Sequence, residues 1–267
     1  MLFVNKLTTG GTEFAAECGR SNVAGRVRQA GHGTTGRRAK LPAELFQNVF
    51  SRRGTTILSN EHMEHLQNQM GFEAFRHAYR AAIKEVRTKI EILSEDFAVR
   101  HDYNPIHHME RRLKVPESIE EKLERLKKEV SIESARENIF DIAGIRVVCN
   151  FIDDVYAIAD MLTSQSDVTL IAEKDYIKNP KPNGYRSLHL VISVPVFLLD
   201  GEEEVPVEIQ LRTVAMDFWA SLEHNLRYKK DKNIPSKIDI ELKACAEVSA
   251  TLDRRMQKIF DELNRLE

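Results

Sequence analysis

Two short runs of the chain set acid, imidazole, amide and guanidinium groups at every second residue. Ser187 and His189 alternate with Leu188, Leu190, Ile192, Val194 and Val196, and Glu208, Gln210 and Arg212 alternate with Val205, Val207, Ile209 and Leu211. Strict alternation reads as strands with one buried face, so the polar residues of each run share the other face. A hairpin at Asp200-Gly201 would bring the two polar faces onto one surface. Lys174 and the loop Lys181-Pro182-Asn183-Gly184-Tyr185-Arg186 precede the first run. The glycine lets backbone approach a ligand, and the tyrosine offers a flat ring. A carboxylate, an imidazole and an amide on a rigid sheet beside a cationic loop suit nucleotide binding. Two half-exposed strands with ordinary solvent-facing polar residues give the same pattern, and periodicity does not separate the two readings.

A second constellation lies upstream. Arg112 and Lys114 leave a strand on one face, Pro116 opens a helix, and Ser118, Lys122 and Arg125 follow on it, the first two of these four residues apart and stacked on one helical face. A helix N-terminus flanked by Arg, Lys and Ser can receive a polyphosphate through backbone N–H groups and positive charge together. With Glu117, Glu120, Glu121 and Glu124 mixed in, a charged surface helix explains the segment as well. Asp141-Ile142-Ala143-Gly144-Ile145-Arg146-Val147-Val148 then places an acid at the mouth of a buried strand. Asp141 and Glu208 form the natural pair to hold Mg²⁺ between phosphates, since that ion takes only one or two protein carboxylates and completes its shell from phosphate oxygens. The sequence has no Walker-type glycine-lysine loop, so any nucleotide chemistry is of another kind.

The elements that must position these residues are mostly helical at the two ends. Asn60 reads as the cap of a helix over 61–70, and a longer helix is expected from Phe72 to about Asp96. Its Tyr79, Ile83, Val86, Ile90 and Leu93 step 4, 3, 4, 3, as do Leu252, Met256, Ile259, Leu263 and Leu266 near the C-terminus. Such stripes pack either on the chain's own sheet or against another subunit. Between them a helix over 153–165 and a strand from Val168 to Ile171 or beyond are expected. His101-Asp102 and His107-His108 lack the further ligands that a metal hydrolase or a zinc site needs.

Residues 1–55 hold eight of the twelve glycines and nine Lys or Arg against three acids, and read as a flexible basic extension. A plain tail, an Arg-rich targeting peptide and a start assigned too early all fit it. The net charge of −2 predicts no global attraction to nucleic acid or membrane. The cysteines Cys18, Cys149 and Cys245 stand far apart without ligand spacing, and no apolar run reaches the length of a membrane span, so a soluble cytoplasmic protein is expected.

Taken together, several motifs in order resemble the synthetase domain of the RelA/SpoT alarmone enzymes, and the length resembles their single-domain small alarmone synthetases. The matching runs are Arg112-Leu113-Lys114 with Ser118 and Lys122, Phe140 to Arg146, Asp175-Tyr176-Ile177, Lys181 to His189, Glu208 to Thr213, and Ala215 to His224. The resemblance implies an α+β fold, a nucleotidyltransferase-like mixed sheet with flanking N- and C-terminal helices. Within a domain over 56–267, helix would cover 59–100, the catalytic sheet core 105–228 and a last helix 236–267. It also implies transfer of pyrophosphate from ATP to the ribose 3′-hydroxyl of GDP or GTP, giving ppGpp or pppGpp and AMP.

On that resemblance, Arg112 and Arg146 sandwich adenine, Lys114, Ser118, Lys122 and Arg125 contact the ATP phosphates, and Asp141 and Glu208 bind Mg²⁺. Tyr185 stacks on guanine, and Lys174, Lys181, Asn183, His189 and Gln210 hold the acceptor. Asp217, where some relatives carry Asn, either reads the guanine edge or caps its helix. Glu208 with Gln210 is the first candidate for general base and Glu223 the second. The long relatives' hydrolase and regulatory domains have no counterpart motif, so synthesis without degradation is expected. Family members of this size tend to be homotetramers, and some bind alarmone or single-stranded RNA between subunits. A catalytically silent nucleotide- or RNA-binding regulator on the same scaffold is the alternative.

Overall fold

A computed structural model describes residues 60–228 and 235–266, with side chains over 71–226 and 235–266. The extension expected at 1–55 lies outside the described residues. Helix α1 (Asn60–His101) comes first, followed by strand β1 (Ile106–Leu113) and helices α2 (Pro116–Arg125) and α3 (Ile132–Asn138). Then come β2 (Ala143–Cys149), α4 (Ile152–Thr163), β3 (Thr169–Asp175), β4 (Leu188–Leu198) and β5 (Gly201–Thr213), and finally α5 (Val214–Tyr228) and α6 (Ser236–Asn264). The five strands form one mixed sheet in the order β1-β2-β5-β4-β3, with β2 and β5 parallel and the other neighbours antiparallel.

Helix α1 is continuous where the sequence suggested two helices, and Asn60 is its first residue instead of a cap. Gly71 lies inside it, because one interior glycine costs a helix only about 1 kcal/mol and the packing beyond it is extensive. Phe75, Tyr79, Ile83, Val86 and Ile90 are all buried against the sheet. The N-terminal stripe thus packs on the chain's own core. The C-terminal stripe does not, since Leu252, Met256, Ile259, Leu263 and Leu266 on α6 are all exposed.

Helix α3 is an element the sequence reading missed. Ser131 caps it, its hydroxyl accepting the Ser134 N–H at 3.1 Å. Strand β3 starts at Thr169 and runs on to Asp175 past an irregularity between Leu170 and Ala172, which carries Lys174 into the sheet opposite His189.

The alternation in β4 and β5 is realised. Leu188, Leu190, Ile192, Val194, Val205, Val207, Ile209 and Leu211 all lie in the core, and a two-residue turn at Leu199-Asp200 joins the strands. Ser187 departs from expectation. It precedes the strand, is fully buried and donates its hydroxyl to the Leu211 carbonyl at 3.0 Å, so it does not share the open polar face with His189.

The loop before β4 is held by α6. Gly184, at φ +92°, closes a turn through its N–H to the Lys181 carbonyl at 2.8 Å. Arg186 clamps this turn to the helix, donating to the Gly184 carbonyl at 3.1 Å and to both Glu247 carboxylate oxygens at 3.0 and 3.1 Å. A Cβ on Gly184 would sit 2.6 Å from the Ala246 methyl, whereas one on Gly201, at φ +126°, would meet nothing within 4 Å. Urea unfolding should therefore show Gly201→Ala losing about 1–2 kcal/mol from backbone strain alone, with Gly184→Ala losing clearly more. Equal losses would remove the Ala246 contact from the account.

Candidate active site

Register across the sheet assembles the polar residues into two rows on the face opposite the core. Glu110 pairs with Arg146, Arg146 with Gln210, Gln210 with His189, and His189 with Lys174. In the adjacent row Arg112 pairs with Gly144 and Gly144 with Glu208. Neighbouring strands stand about 4.8 Å apart, so residues remote in sequence become lateral neighbours. Gly144 leaves the ground bare between Arg112 and Glu208. Here Arg112, Lys114, Asp141, Arg146, Glu208 and Gln210 line a single cleft of about 340 Å³.

Around Tyr185 five side chains close a polar ring. Arg212 Nη2 donates to the Tyr185 hydroxyl at 2.6 Å and to Gln210 Oε1 at 2.7 Å, and Gln210 Nε2 donates to Glu208 Oε2 at 2.9 Å. His189 completes it, with Nε2 2.8 Å from the Tyr185 oxygen and Nδ1 3.4 Å from Glu208 Oε1. Lys181 Nζ lies 4.6 Å from the Tyr176 ring centroid and 4.7 Å from that of Tyr185, so the loop cation rests on two aromatic rings.

Near Arg112 in the sheet, two lysines hold one carboxylate. Lys122 Nζ reaches Asp141 Oδ1 at 2.6 Å and Lys114 Nζ reaches Oδ2 at 3.0 Å. Burial opposes ionisation of Asp141, but the two ammonium groups outweigh it and hold its carboxyl below the usual range. Glu208 follows the same pattern: burial raises it, while His189 and Gln210 outweigh that and hold it below its usual value, against an opposing push from Asp141. Two ionised carboxylates at one cleft fit Mg²⁺, whose remaining ligands come from phosphate oxygens. Among the described residues no group of three or more His, Cys, Asp or Glu is placed to hold a metal by itself.

Of the residues expected to carry the site, six line the cleft, Lys122 joins it through Asp141, and Lys174, Lys181, Tyr185 and His189 flank it. Asn183 lies within the loop, where its Oδ1 accepts the Tyr185 N–H at 3.2 Å and its Nδ2 donates to Glu223 at 3.2 Å. Asp217 is not the cap of α5. Thr213 takes that role, accepting the Met216 N–H at 3.1 Å. Ser118 stands in the first turn of α2 and Arg125 at its far end, exposed. Glu110, which binds Arg146 at 3.1 Å, was missed, although its place two residues before Arg112 on β1 puts it on the same face.

A mixed sheet with this cationic, carboxylate-bearing face is a nucleotidyltransferase-like α+β domain. The family model described as the region found in RelA / SpoT proteins matches residues 111–233. The GTP pyrophosphokinase YwaC of Bacillus subtilis (strain 168) is 43% identical over 210 residues, covering 78% of this chain and 99% of the relative. The crystal structure of small alarmone synthetase 1 from Bacillus subtilis bound to its product pppGpp aligns with a TM-score of 0.66 at 38% identity, covering 72% of this chain and 97% of that one. For small alarmone synthetase 2 from the same organism the TM-score is 0.64 at 43% identity, over 70% and 97%. The chain belongs to the RelA/SpoT family and is similar to its small alarmone synthetases over nearly their whole length.

The Asp141 pairs carry a pH signature. A carboxyl whose folded-state value is lowered contributes stability that is present above its unfolded value and is lost as pH falls through the folded one. The difference in unfolding free energy between the wild type and Asp141→Asn should therefore hold constant from pH 7 down to the ordinary aspartate value of 3.8 and shrink only below it. Shrinkage already between pH 7 and 5 would contradict the lysine cage.

Proposed function

We propose that the protein synthesises (p)ppGpp, transferring the pyrophosphoryl group of ATP to the 3′-hydroxyl of GDP or GTP and releasing AMP. The observation that carries the reading is the single cleft in which paired arginines, a lysine-caged Asp141 and Glu208 meet the Tyr185-His189 patch. The relatives named GTP pyrophosphokinase and the product-bound synthetase support it.

Arg112 and Arg146 are diagonal neighbours across β1 and β2, positions about 7–8 Å apart. That is twice the contact distance of roughly 3.5–4.0 Å, the spacing needed to hold a flat adenine between two guanidinium planes. Lys114 and Lys122, with Ser118 and Arg125 on α2, take the phosphates, and the lysines can pass from Asp141 to them as ATP enters. Asp141 and Glu208 would hold Mg²⁺, which supplies neutralisation of the phosphate charge. Lys174, Lys181, His189 and Gln210 orient the acceptor, with Asn183 bracing the loop that carries Tyr185 to the guanine.

The acceptor 3′-oxygen bonds to the β-phosphorus while the bond to the α-bridging oxygen breaks, and Glu208 takes the hydroxyl proton. A carboxylate of lowered proton affinity is adequate, because phosphoryl-type transfer depends mainly on alignment and charge neutralisation and little on a strong base. Glu223, tied to Asn183 at 3.2 Å, braces the loop in this reading. A cytoplasmic location, where ATP and GTP are abundant, belongs to the same reading.

With γ-labelled ATP, Mg²⁺ and either GDP or GTP, the purified protein should give a labelled guanosine product. Both Asp141→Ala and Glu208→Gln should lower its formation by about a hundredfold or more. Undiminished turnover in Glu208→Gln would remove it as the base. No product from the wild type would favour the silent regulator, with RNA the next ligand to test.

A second copy of the chain is the proposed cover for the apolar face of α5 and α6, where Phe218, Val248, Leu252 and Met256 are exposed along one groove. A homotetramer is the assembly implied by the family. Light scattering should give a multiple of 30.6 kDa, and Leu252→Glu should lower it. A monomeric wild type would refute this assembly.

A further inference from the structure

Asp217 occupies a position that neither a guanine reader nor a helix cap requires. Its Oδ1 accepts from Arg212 Nη1 at 3.1 Å and lies 3.4 Å from Arg146 Nη1, with the carboxylate side chain 15% exposed and that of Arg212 6%. One oxygen is thus shared by two guanidinium groups that belong to different ends of the site. Arg146 stands at the donor end, also held by Glu110 at 3.1 Å. Arg212 stands at the acceptor end, where its other terminal nitrogen fixes Gln210 and Tyr185. The Nε atoms of both arginines are buried without a hydrogen-bond partner, so each is held chiefly through its terminal nitrogens. A guanine edge seeking two acceptors at Asp217 would compete with two cations for a nearly enclosed carboxylate.

We propose that Asp217 is a positioning residue that couples the donor and acceptor subsites through Arg146 and Arg212. The proposal rests on the nucleotide assignments above. When adenine draws Arg146 onto its ring face, the charge of Asp217 falls more fully to Arg212. That tightens the guanidinium which orients Gln210 and the Tyr185 hydroxyl, and so prepares the acceptor end. By thermodynamic linkage the acceptor nucleotide must favour the donor by the same factor.

The test is binding, not turnover, so it stays separate from the synthesis assay that tests the nucleotide reading. Calorimetry would measure GDP affinity with and without a saturating non-hydrolysable ATP analogue. In the wild type the analogue should tighten GDP by roughly fivefold or more, and in Asp217→Asn the effect should fall within about twofold. Asn keeps the shape of the side chain and removes its charge, so a folded variant is expected, checked by a cooperative melting transition and an unchanged circular dichroism spectrum at the assay temperature. In an Arg146→Ala background, Asp217→Asn should leave analogue affinity unchanged. Affinity for GDP relative to inosine diphosphate, which lacks the 2-amino group, should be the same in wild type, Asp217→Asn and Asp217→Ala. Absence of linkage in the wild type, or its survival in Asp217→Asn, would overturn the proposal. Collapse of the GDP preference in the variants would also overturn it and return Asp217 to guanine reading.

Discussion

The parallel pairing of β2 with β5 is the constraint on which the site depends. It sets Arg146 beside Gln210 and Gly144 beside Glu208, and the antiparallel flanks carry the same rows out to Glu110 and Lys174. Because each partner is fixed by backbone hydrogen bonds at the ordinary strand spacing, the donor and acceptor ends hold a constant separation on a rigid floor. A slip of one residue would send every one of these side chains into the core and turn the core outward. The buried Leu, Ile and Val alternation therefore protects the geometry of the polar face as well as the stability of the domain.

Electrostatically, the site keeps its charges against one another. Lys114 and Lys122 lie on Asp141, and Arg146 and Arg212 share Asp217. Each pairing offsets the cost of holding charges in a partly buried cleft.

The acceptor loop is positioned from the far end of the sequence. Arg186 bridges to Glu247, Gly184 lies against Ala246, and Trp219 donates its indole N–H to the Leu242 carbonyl at 2.8 Å. Tyr185 packs beside Trp219, Ala220 and Ala246 in a small cluster separate from the main core. The C-terminal helix is thus a structural part of the nucleotide site, although none of its own side chains lines the donor cleft.

Much of this could be read from the chain itself. Period-two alternation assigned Glu208, Gln210 and His189 to a polar strand face, Pro116 marked the start of α2, and the ordered motifs pointed to the family. The reading split α1 at Gly71, because local propensity counts an interior glycine and cannot count the packing that overrides it. It also missed α3, only seven residues long, and Glu110, whose neighbour across the sheet was not knowable. Ser187 was placed on the wrong surface because alternation does not say where a strand begins. By itself the sequence determined the family, through its ordered motifs, and which face the paired strands would bury, since side-chain direction follows from local backbone period. Only the tertiary structure decided that Asp217 lies between two arginines, that two lysines hold Asp141 and that α6 pins the loop. Strand order, register and helix docking are set by contacts between residues far apart in the chain, on which a local pattern is silent.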